Sequence, residues 1–62
     1  MLVNHLFELN GEYVFVEVDN EMSIKEAREY LLDHLDYVPE EMPVYIETYT
    51  VEEAEMLGYD TF

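Results

Sequence analysis

Asn10-Gly11 constrains the fold of this chain more than any other feature, because this dipeptide strongly favours a two-residue β-turn. Residues 2–9 and 12–19 flank it with β-branched, aromatic and alternating polar residues, so they predict the two strands of a hairpin. A two-residue turn sets the register and pairs Phe7 with Val14. We therefore predict one apolar hairpin face that belongs to the core.

The opposite face of this hairpin combines large apolar side chains with acids. It carries Leu6, Tyr13 and Phe15 beside Glu8 and Glu17. A large apolar patch on a surface is typical of an interaction site. We therefore expect Leu6, Tyr13 and Phe15 to contact a partner or a second copy of the chain.

Residues 23–38 predict an amphipathic helix, which starts with the capping box formed by Ser23 and Glu26. Its apolar positions are Ile24, Ala27, Leu31, Leu35 and Val38. Its acidic positions are Glu26, Glu29, Asp33 and Asp36. A proline follows this segment and disfavours helical backbone before it, so the helix is expected to end near Asp36 or Tyr37. Lys25 and Glu29 have the spacing of an ion pair within a helix.

Residues 44–49 alternate and predict a third strand after the linker 39–43. The residues of its apolar face are Val44, Ile46 and Thr48. Thr50 and Glu53 form a second capping box, which predicts a short helix over 51–57. Gly58 is expected to cap that helix at its C-terminal end. Tyr59 and Phe62 either pack on this helix or stay free for a partner.

These elements predict one α+β domain, 1–62, with the order ββαβα. A third strand beside the first completes an antiparallel sheet of order 2-1-3, whereas a third strand beside the second gives a mixed sheet. We favour 2-1-3, with the main helix packed on one face and a short C-terminal helix. A chain of 62 residues buries a thin core, so we expect two layers at most.

The charge of the chain restricts its partners. Sixteen carboxylates oppose Lys25 and Arg28, which gives a net charge of −14. Nucleic acids and anionic membranes are bound through basic side chains, so we exclude them as direct partners and expect a basic protein instead. Adaptation to high salt is a second explanation, but twelve of the sixteen acids are Glu and large apolar residues are plentiful, which fits it poorly.

Nothing in the sequence indicates catalysis. The chain has no cysteine, no clustered metal ligands, no phosphate-binding glycine loop and no nucleophile elbow, so we predict neither an enzyme, a cofactor nor a metal site. His5 and His34 are expected to be hydrogen-bonded structural residues. With no apolar run of about 18 residues and no secretion signal, the expected location is the cytoplasm.

The acidic helix positions are the candidate binding site. Glu26, Glu29, Asp33 and Asp36 span about 15 Å of a helix, and Glu40 and Glu41 extend the acidity into the linker. Four carboxylates over this length approach the charge density of one DNA strand, which has a phosphate about every 3.4 Å. Tyrosine is enriched at protein interfaces. Tyr30 and Tyr37 flank the acids.

In size, acidity, aromatic content and absence of a catalytic motif, the whole chain resembles the small acidic phage-encoded inhibitors that mimic DNA, which include anti-CRISPR and anti-restriction proteins. The resemblance is one of class, with no shared residue signature. It implies an inhibitor that occupies the basic nucleic-acid channel or PAM-reading site of a host defence nuclease, in the cytoplasm of the host cell. Two alternatives are an interaction module, such as a homodimer or accessory subunit, and an antitoxin-like protein that neutralises a basic toxin.

Overall fold

Four strands and two helices make up the structure, a computed structural model that describes residues 1–62. The strands are β1 Leu2–Leu9, β2 Glu12–Asp19, β3 Val44–Tyr49 and β4 Asp60–Thr61. The helices are α1 Ile24–Asp33 and α2 Val51–Leu57. The sheet order is β3-β1-β2-β4, which confirms the α+β class and places the third strand beside the first, as predicted.

The hairpin has the predicted register. Asn10 and Gly11 both have positive φ, 53° and 81°, as a two-residue turn of type I′ requires. Phe7 lies opposite Val14 and His5 lies opposite Val16. Both pairs therefore belong to the face that α1 covers.

Helix α1 packs its apolar side on this face of the sheet. Ala27 and Leu31 are fully buried, and they join the side chains of Phe7 and Val16 in the main core cluster. Ser23 and Glu26 form both bonds of the predicted capping box, since the Ser23 hydroxyl accepts from the Glu26 backbone and the Glu26 carboxylate accepts from the Ser23 backbone. The helix is therefore held by its cap and by packing on the sheet.

Strand β3 does not present the predicted apolar face. Its pairing with β1 shifts by one residue at Ile46, a β-bulge of the kind common on edge strands. The shift turns Tyr45 towards the core, where its ring packs edge-on against Phe7 with 6.0 Å between ring centroids. Val44 and Ile46 are left 54% and 45% exposed. A tyrosine ring offers more apolar area to the core than valine or isoleucine does, which explains why Tyr45 packs there instead of Val44 or Ile46.

The second face of the sheet is also covered, so the expectation of two layers is wrong. Helix α2 packs Ala54 against Leu6 and Phe15, which are only 5% and 0% exposed, and Tyr49 completes this second cluster. The predicted contact surface of Leu6 and Phe15 is therefore buried inside the protein. The physical reason is that α2 follows β3 without a linker and folds back over the sheet.

The ends of α2 agree with the sequence. Thr50 and Glu53 form both bonds of the predicted capping box, and Gly58 ends the helix in the left-handed conformation at φ 75°. The amide of Gly58 donates to the carbonyl of Ala54. Glycine reaches this conformation without the steric cost that other residues carry.

The C-terminal residues form a fourth strand, so the prediction of three antiparallel strands is wrong in this detail. Strand β4 pairs in parallel with β2 and makes the sheet mixed. The amide of Phe62 donates to the carbonyl of Phe15 at 2.8 Å, and the amide of Glu17 donates to the carbonyl of Phe62 at 3.2 Å. The sequence left open whether Tyr59 and Phe62 pack on α2 or stay free, and both residues contact β2 instead: the Tyr59 ring packs on that of Phe15 with centroids 5.8 Å apart, and Phe62 bonds to β2 through its backbone. Neither helix has the length and apolar character needed to cross a membrane.

Candidate functional site: the acidic face of α1

Three carboxylates share the solvent side of α1, and we call them the acidic face. They are Glu26, Glu29 and Asp33, which are all exposed and lie on the side opposite the buried Ala27 and Leu31. At 1.5 Å per residue, their positions follow one another at about 4.5 Å and about 6 Å along the helix axis. The predicted grouping of these three residues is confirmed.

The sequence predicted that Asp36 belongs to this helical face, and this is wrong. Helix α1 ends at Asp33, three residues before Asp36. Nδ1 of His34 lies 2.8 Å from the carbonyl oxygen of Tyr30, and the His34 amide donates to the last turn. Beyond this cap, the Tyr37 hydroxyl accepts from the Asn10 side chain at 3.0 Å, which ties the segment to the hairpin turn. The acidic face therefore spans about 10 Å instead of about 15 Å, and Asp36 is exposed in the bend beyond it.

No basic side chain forms an ion pair with the acidic face. The guanidinium of Arg28 donates through Nε to the carbonyl of Pro43 at 2.9 Å, and its Cζ lies 5.8 Å from the centre of the Phe7 ring. The predicted ion pair of Lys25 with Glu29 does not form within 4.0 Å, since the one salt bridge joins the N-terminal amine to Asp19. Arg28 therefore holds the linker against α1, and the carboxylates face water.

The acidic residues of the linker are exposed as well. Glu40 and Glu41 lie in an irregular segment that Pro43, which is fully buried, anchors to the core. The bond from Arg28 to Pro43 brings the end of this segment beside α1. Glu40 and Glu41 are therefore exposed carboxylates in the segment that leads to this contact.

The aromatic residues predicted to contact a partner differ in their surroundings. Leu6 and Phe15 are buried under α2, so they are unavailable for contact. Tyr13 is partly exposed, and its ring lies 5.4 Å from that of Tyr59. Tyr30 is half-buried and packs on His34 at 4.2 Å between ring centroids, while Tyr37 is mostly exposed at the hairpin end of the molecule.

The titratable groups with a shifted pKa lie away from the acidic face. Burial lowers the pKa of His5, whose Nδ1 lies 2.8 Å from the Thr48 hydroxyl. The hydrogen bond from the Glu21 amide, aided by the N-terminal amine, lowers the pKa of Asp19. The hydrogen bond to the Glu47 carboxylate raises the pKa of Tyr49. The histidine, aspartate and glutamate side chains form no group of three that could hold a metal ion.

Sequence reasoning missed two features. One is the exposed edge of β3 with Val44 and Ile46, since the bulge that creates it depends on the pairing with β1. The other is a cavity between α2 and the sheet, which is lined by Asn4 and Glu17 among others. A polar Asn4 between apolar strand residues was the only signal for it in the sequence.

Comparison with models of known protein families finds no match to this chain, and comparisons with curated proteins and with solved structures find none either.

Proposed function

We propose that the protein is a small inhibitor that mimics DNA and binds the basic nucleic-acid-binding surface of another protein, of the anti-CRISPR or anti-restriction type. The observation that supports this function most is the acidic face of α1, where Glu26, Glu29 and Asp33 are exposed, share one side of the helix and form no ion pair. We include Asp36, Glu40 and Glu41, which are also exposed, in the proposed binding surface. The role is one of binding, without catalysis.

The spacing of these carboxylates supports an electrostatic mode of recognition. Intervals of about 5 Å are shorter than the Debye length of about 8 Å at physiological salt, so the three charges act together on a nearby cation. One DNA strand places a phosphate about every 3.4 Å, so the acidic face has about two thirds of that density. Arginine and lysine side chains that hold a DNA backbone would meet a similar field here.

A charge-reversal variant, Glu29→Lys with Asp33→Lys, tests this function. Lysine near the C-terminal end of a helix interacts favourably with the helix dipole, so the variant is expected to fold at least as well as the natural chain. A matched control, Glu8→Lys with Glu52→Lys, makes the same change of charge at exposed positions outside the acidic face. Both proteins serve as bait, beside the natural chain, for capture from a nuclease-bearing host lysate.

We expect the natural chain and the control to retain the same DNA-binding protein, and the reversed variant to lose it. Short duplex DNA and a rise from about 50 mM to about 500 mM salt should each release that protein, because both compete with the carboxylates. Equal capture by the reversed variant would refute the acidic face as the binding site. Capture that DNA does not displace would indicate a basic partner without a DNA site, as in the antitoxin-like alternative.

The exposed edge of β3 favours a second candidate function, that of a homodimerising module. Val44 and Ile46 leave apolar side chains on an edge strand whose outer backbone groups have no partner strand, and Met42 is exposed just before it. Such edges add strands from other chains. The bulge at Ile46 opposes this pairing, since irregular edges are poor templates. The runner-up surface is therefore this edge instead of Leu6 and Phe15.

Sedimentation across a range of salt concentrations separates the two functions. Two copies with a charge of −14 repel each other, so a homodimer should form more readily as salt rises, whereas binding of a basic partner should weaken. An Ile46→Lys variant should abolish any dimer. A monomer at both extremes of salt would remove the homodimer candidate.

A further inference from the structure

The hairpin turn places an asparagine side chain next to a backbone amide that has no partner. Asn10 and Gly11 are both exposed. The amide of Gly11 donates to no acceptor in the protein. A Cβ at Gly11 would meet no atom within 4 Å, so the space beside this residue is open. The turn therefore combines a carboxamide with an accessible backbone nitrogen one residue further along the chain.

These two groups can react with each other and close a five-membered ring. The Gly11 nitrogen loses its proton and attacks Cγ of Asn10, and the bond from Cγ to Nδ2 breaks as the amide nitrogen takes up a proton and leaves as ammonia. Water then opens the cyclic imide at either of its two carbonyl carbons. The products are aspartate or isoaspartate at position 10, and no step involves oxidation or reduction.

Two features of the fold oppose this reaction. In a type I′ turn the first central residue has ψ of about 30°, which turns the Gly11 nitrogen away from the Asn10 side chain. The side chain is also held by the Tyr37 hydroxyl, which accepts from Nδ2 at 3.0 Å. Attack therefore requires the turn to open and this hydrogen bond to break.

We propose that Asn10 is a site of spontaneous deamidation, and that the Tyr37 hydroxyl slows the reaction by holding the side chain in its folded position. Asn20 is also exposed in a turn, but Glu21 follows it, and a side chain on the following residue crowds the attacking nitrogen. Asn4 is buried within β1. The chain thus contains two asparagines for comparison, and the reaction is independent of the acidic face of α1.

The two products differ in their effect on the hairpin. Aspartate followed by glycine also favours a type I′ turn, so it keeps the register and adds one negative charge. Isoaspartate routes the main chain through the side-chain carbons and lengthens the turn by a methylene, which no longer fits the pairing of Leu9 with Glu12. Deamidation therefore weakens the hairpin through isoaspartate.

The test follows the folded chain during incubation at mildly alkaline pH, where the Gly11 amide loses its proton more readily. Peptide mass spectrometry locates the conversion of an amide to an acid, and an isoaspartate methyltransferase, used as a reagent, measures isoaspartate. We expect both products at position 10. Conversion at Asn20 should be at least about tenfold slower, because only glycine leaves the attacking nitrogen uncrowded.

The variant Tyr37→Phe tests the restraint, since it removes the hydroxyl and keeps the ring. It should deamidate about two- to tenfold faster than the natural chain, which is the range that the loss of one hydrogen bond corresponds to. The matched control is Tyr30→Phe, because Tyr30 contacts His34 through its ring and its backbone carbonyl, which the variant keeps. Its rate should stay within about twofold of the natural rate. Circular dichroism shows that each variant is folded.

In concentrated guanidinium chloride, the natural chain and Tyr37→Phe should react equally fast, because the restraint belongs to the folded state. Unequal rates there would contradict it, as would equal rates while both proteins are folded. Conversion at Asn20 as fast as at position 10 would remove the special role of Gly11. Aspartate without isoaspartate would indicate direct hydrolysis instead of a cyclic imide. All of these readouts are covalent changes, so none of them bears on the capture test of the acidic face.

Discussion

At the scale of single residues, a hydrogen-bonded chain joins the buried His5 of β1 to Thr48 and Tyr45 of β3. Nδ1 of His5 lies 2.8 Å from the hydroxyl oxygen of Thr48, which lies 2.6 Å from the hydroxyl of Tyr45. Nε2 of His5 is buried without a partner, and no carboxylate pairs with the ring. A charged imidazolium would be poorly solvated here, so the folded protein favours the neutral form.

This arrangement predicts a pH dependence of stability. Burial lowers the pKa of His5 below its ordinary 6.5, so near that pH the unfolded chain binds a proton that the folded chain does not. His5 therefore contributes its full stability above pH 6.5, and this contribution is lost as the pH falls below that value. The free energy of unfolding in urea should show it, measured at about pH 7.5 and about pH 5.5 for the natural chain and a His5→Gln variant.

The comparison with the His5→Gln variant matters because protonation of the many carboxylates changes stability in the same experiment. On going to the lower pH, the free energy of unfolding of the natural chain should fall more than that of the variant. Parallel pH profiles would show that His5 takes no proton on unfolding.

At the scale of elements, α2 gives the sheet its second covered face. Seven residues form a helix that is too short to be stable alone, so its capping box and its packing through Ala54 must hold it in place. Once docked, it buries Phe15 completely. The covering of the second face and the end of α2 can each be tested with one substitution.

Phe15→Ala is expected to cost about 3–5 kcal/mol, because it leaves a cavity between the sheet and α2. A domain of this size has only a few kcal/mol of stability, so the variant should be largely unfolded at room temperature. Tyr13→Ala, on the same face of the same strand but partly exposed, should remain folded. Circular dichroism during urea unfolding measures both, and a folded Phe15→Ala variant would contradict the second core cluster.

Gly58→Ala tests the end of α2 at a position where only the backbone is affected. A Cβ at Gly58 would meet no atom within 4 Å, so the cost arises from the positive φ of 75° and should be about 1–2 kcal/mol. Gly58→Asn should cost less, because asparagine tolerates this conformation better than alanine. The melting temperatures should fall in the order natural chain, Gly58→Asn, Gly58→Ala, as measured by thermal unfolding. Equal melting temperatures would exclude a left-handed cap.

At the scale of the whole molecule, the distribution of charge separates general acidity from a local site. Sixteen carboxylates on 4417 Å² of accessible surface leave about 17 Å between average neighbours, which is more than the Debye length of about 8 Å at physiological salt. The spacing of carboxylates on the acidic face of α1, about 5 Å along the helix axis, is about a third of this average. Repulsion between average neighbouring carboxylates is thus weak at physiological salt. The closely spaced carboxylates of the acidic face still act together on a nearby charge.

The same distances predict how stability responds to salt. At about 10 mM salt the Debye length is about 30 Å, so most of the carboxylates repel one another, and the free energy of unfolding should rise as salt is added up to about 150 mM. Urea unfolding at several salt concentrations measures this. The Glu29→Lys and Asp33→Lys variant should depend less on salt, and an equal dependence would argue against a concentration of charge on α1.

Local patterns in the sequence determined the hairpin and its register, both helix starts, the glycine cap of α2 and the α+β class. Each of these depends on residues close together in the chain, such as Asn10-Gly11 or Ser23 and Glu26, so neighbouring residues suffice to predict it. The grouping of Glu26, Glu29 and Asp33 on one side of a helix follows in the same way from the period of 3.6 residues.

Only the tertiary structure decided which surfaces stay exposed. The burial of Leu6 and Phe15 depends on where α2 docks, the exposure of Val44 and Ile46 depends on a one-residue shift against β1, and the earlier end of α1 accompanies a cap at His34. The pairing of β4 with β2 joins residues far apart in the chain. Such contacts form where they bury the most apolar area and satisfy the most backbone groups, which no local pattern encodes.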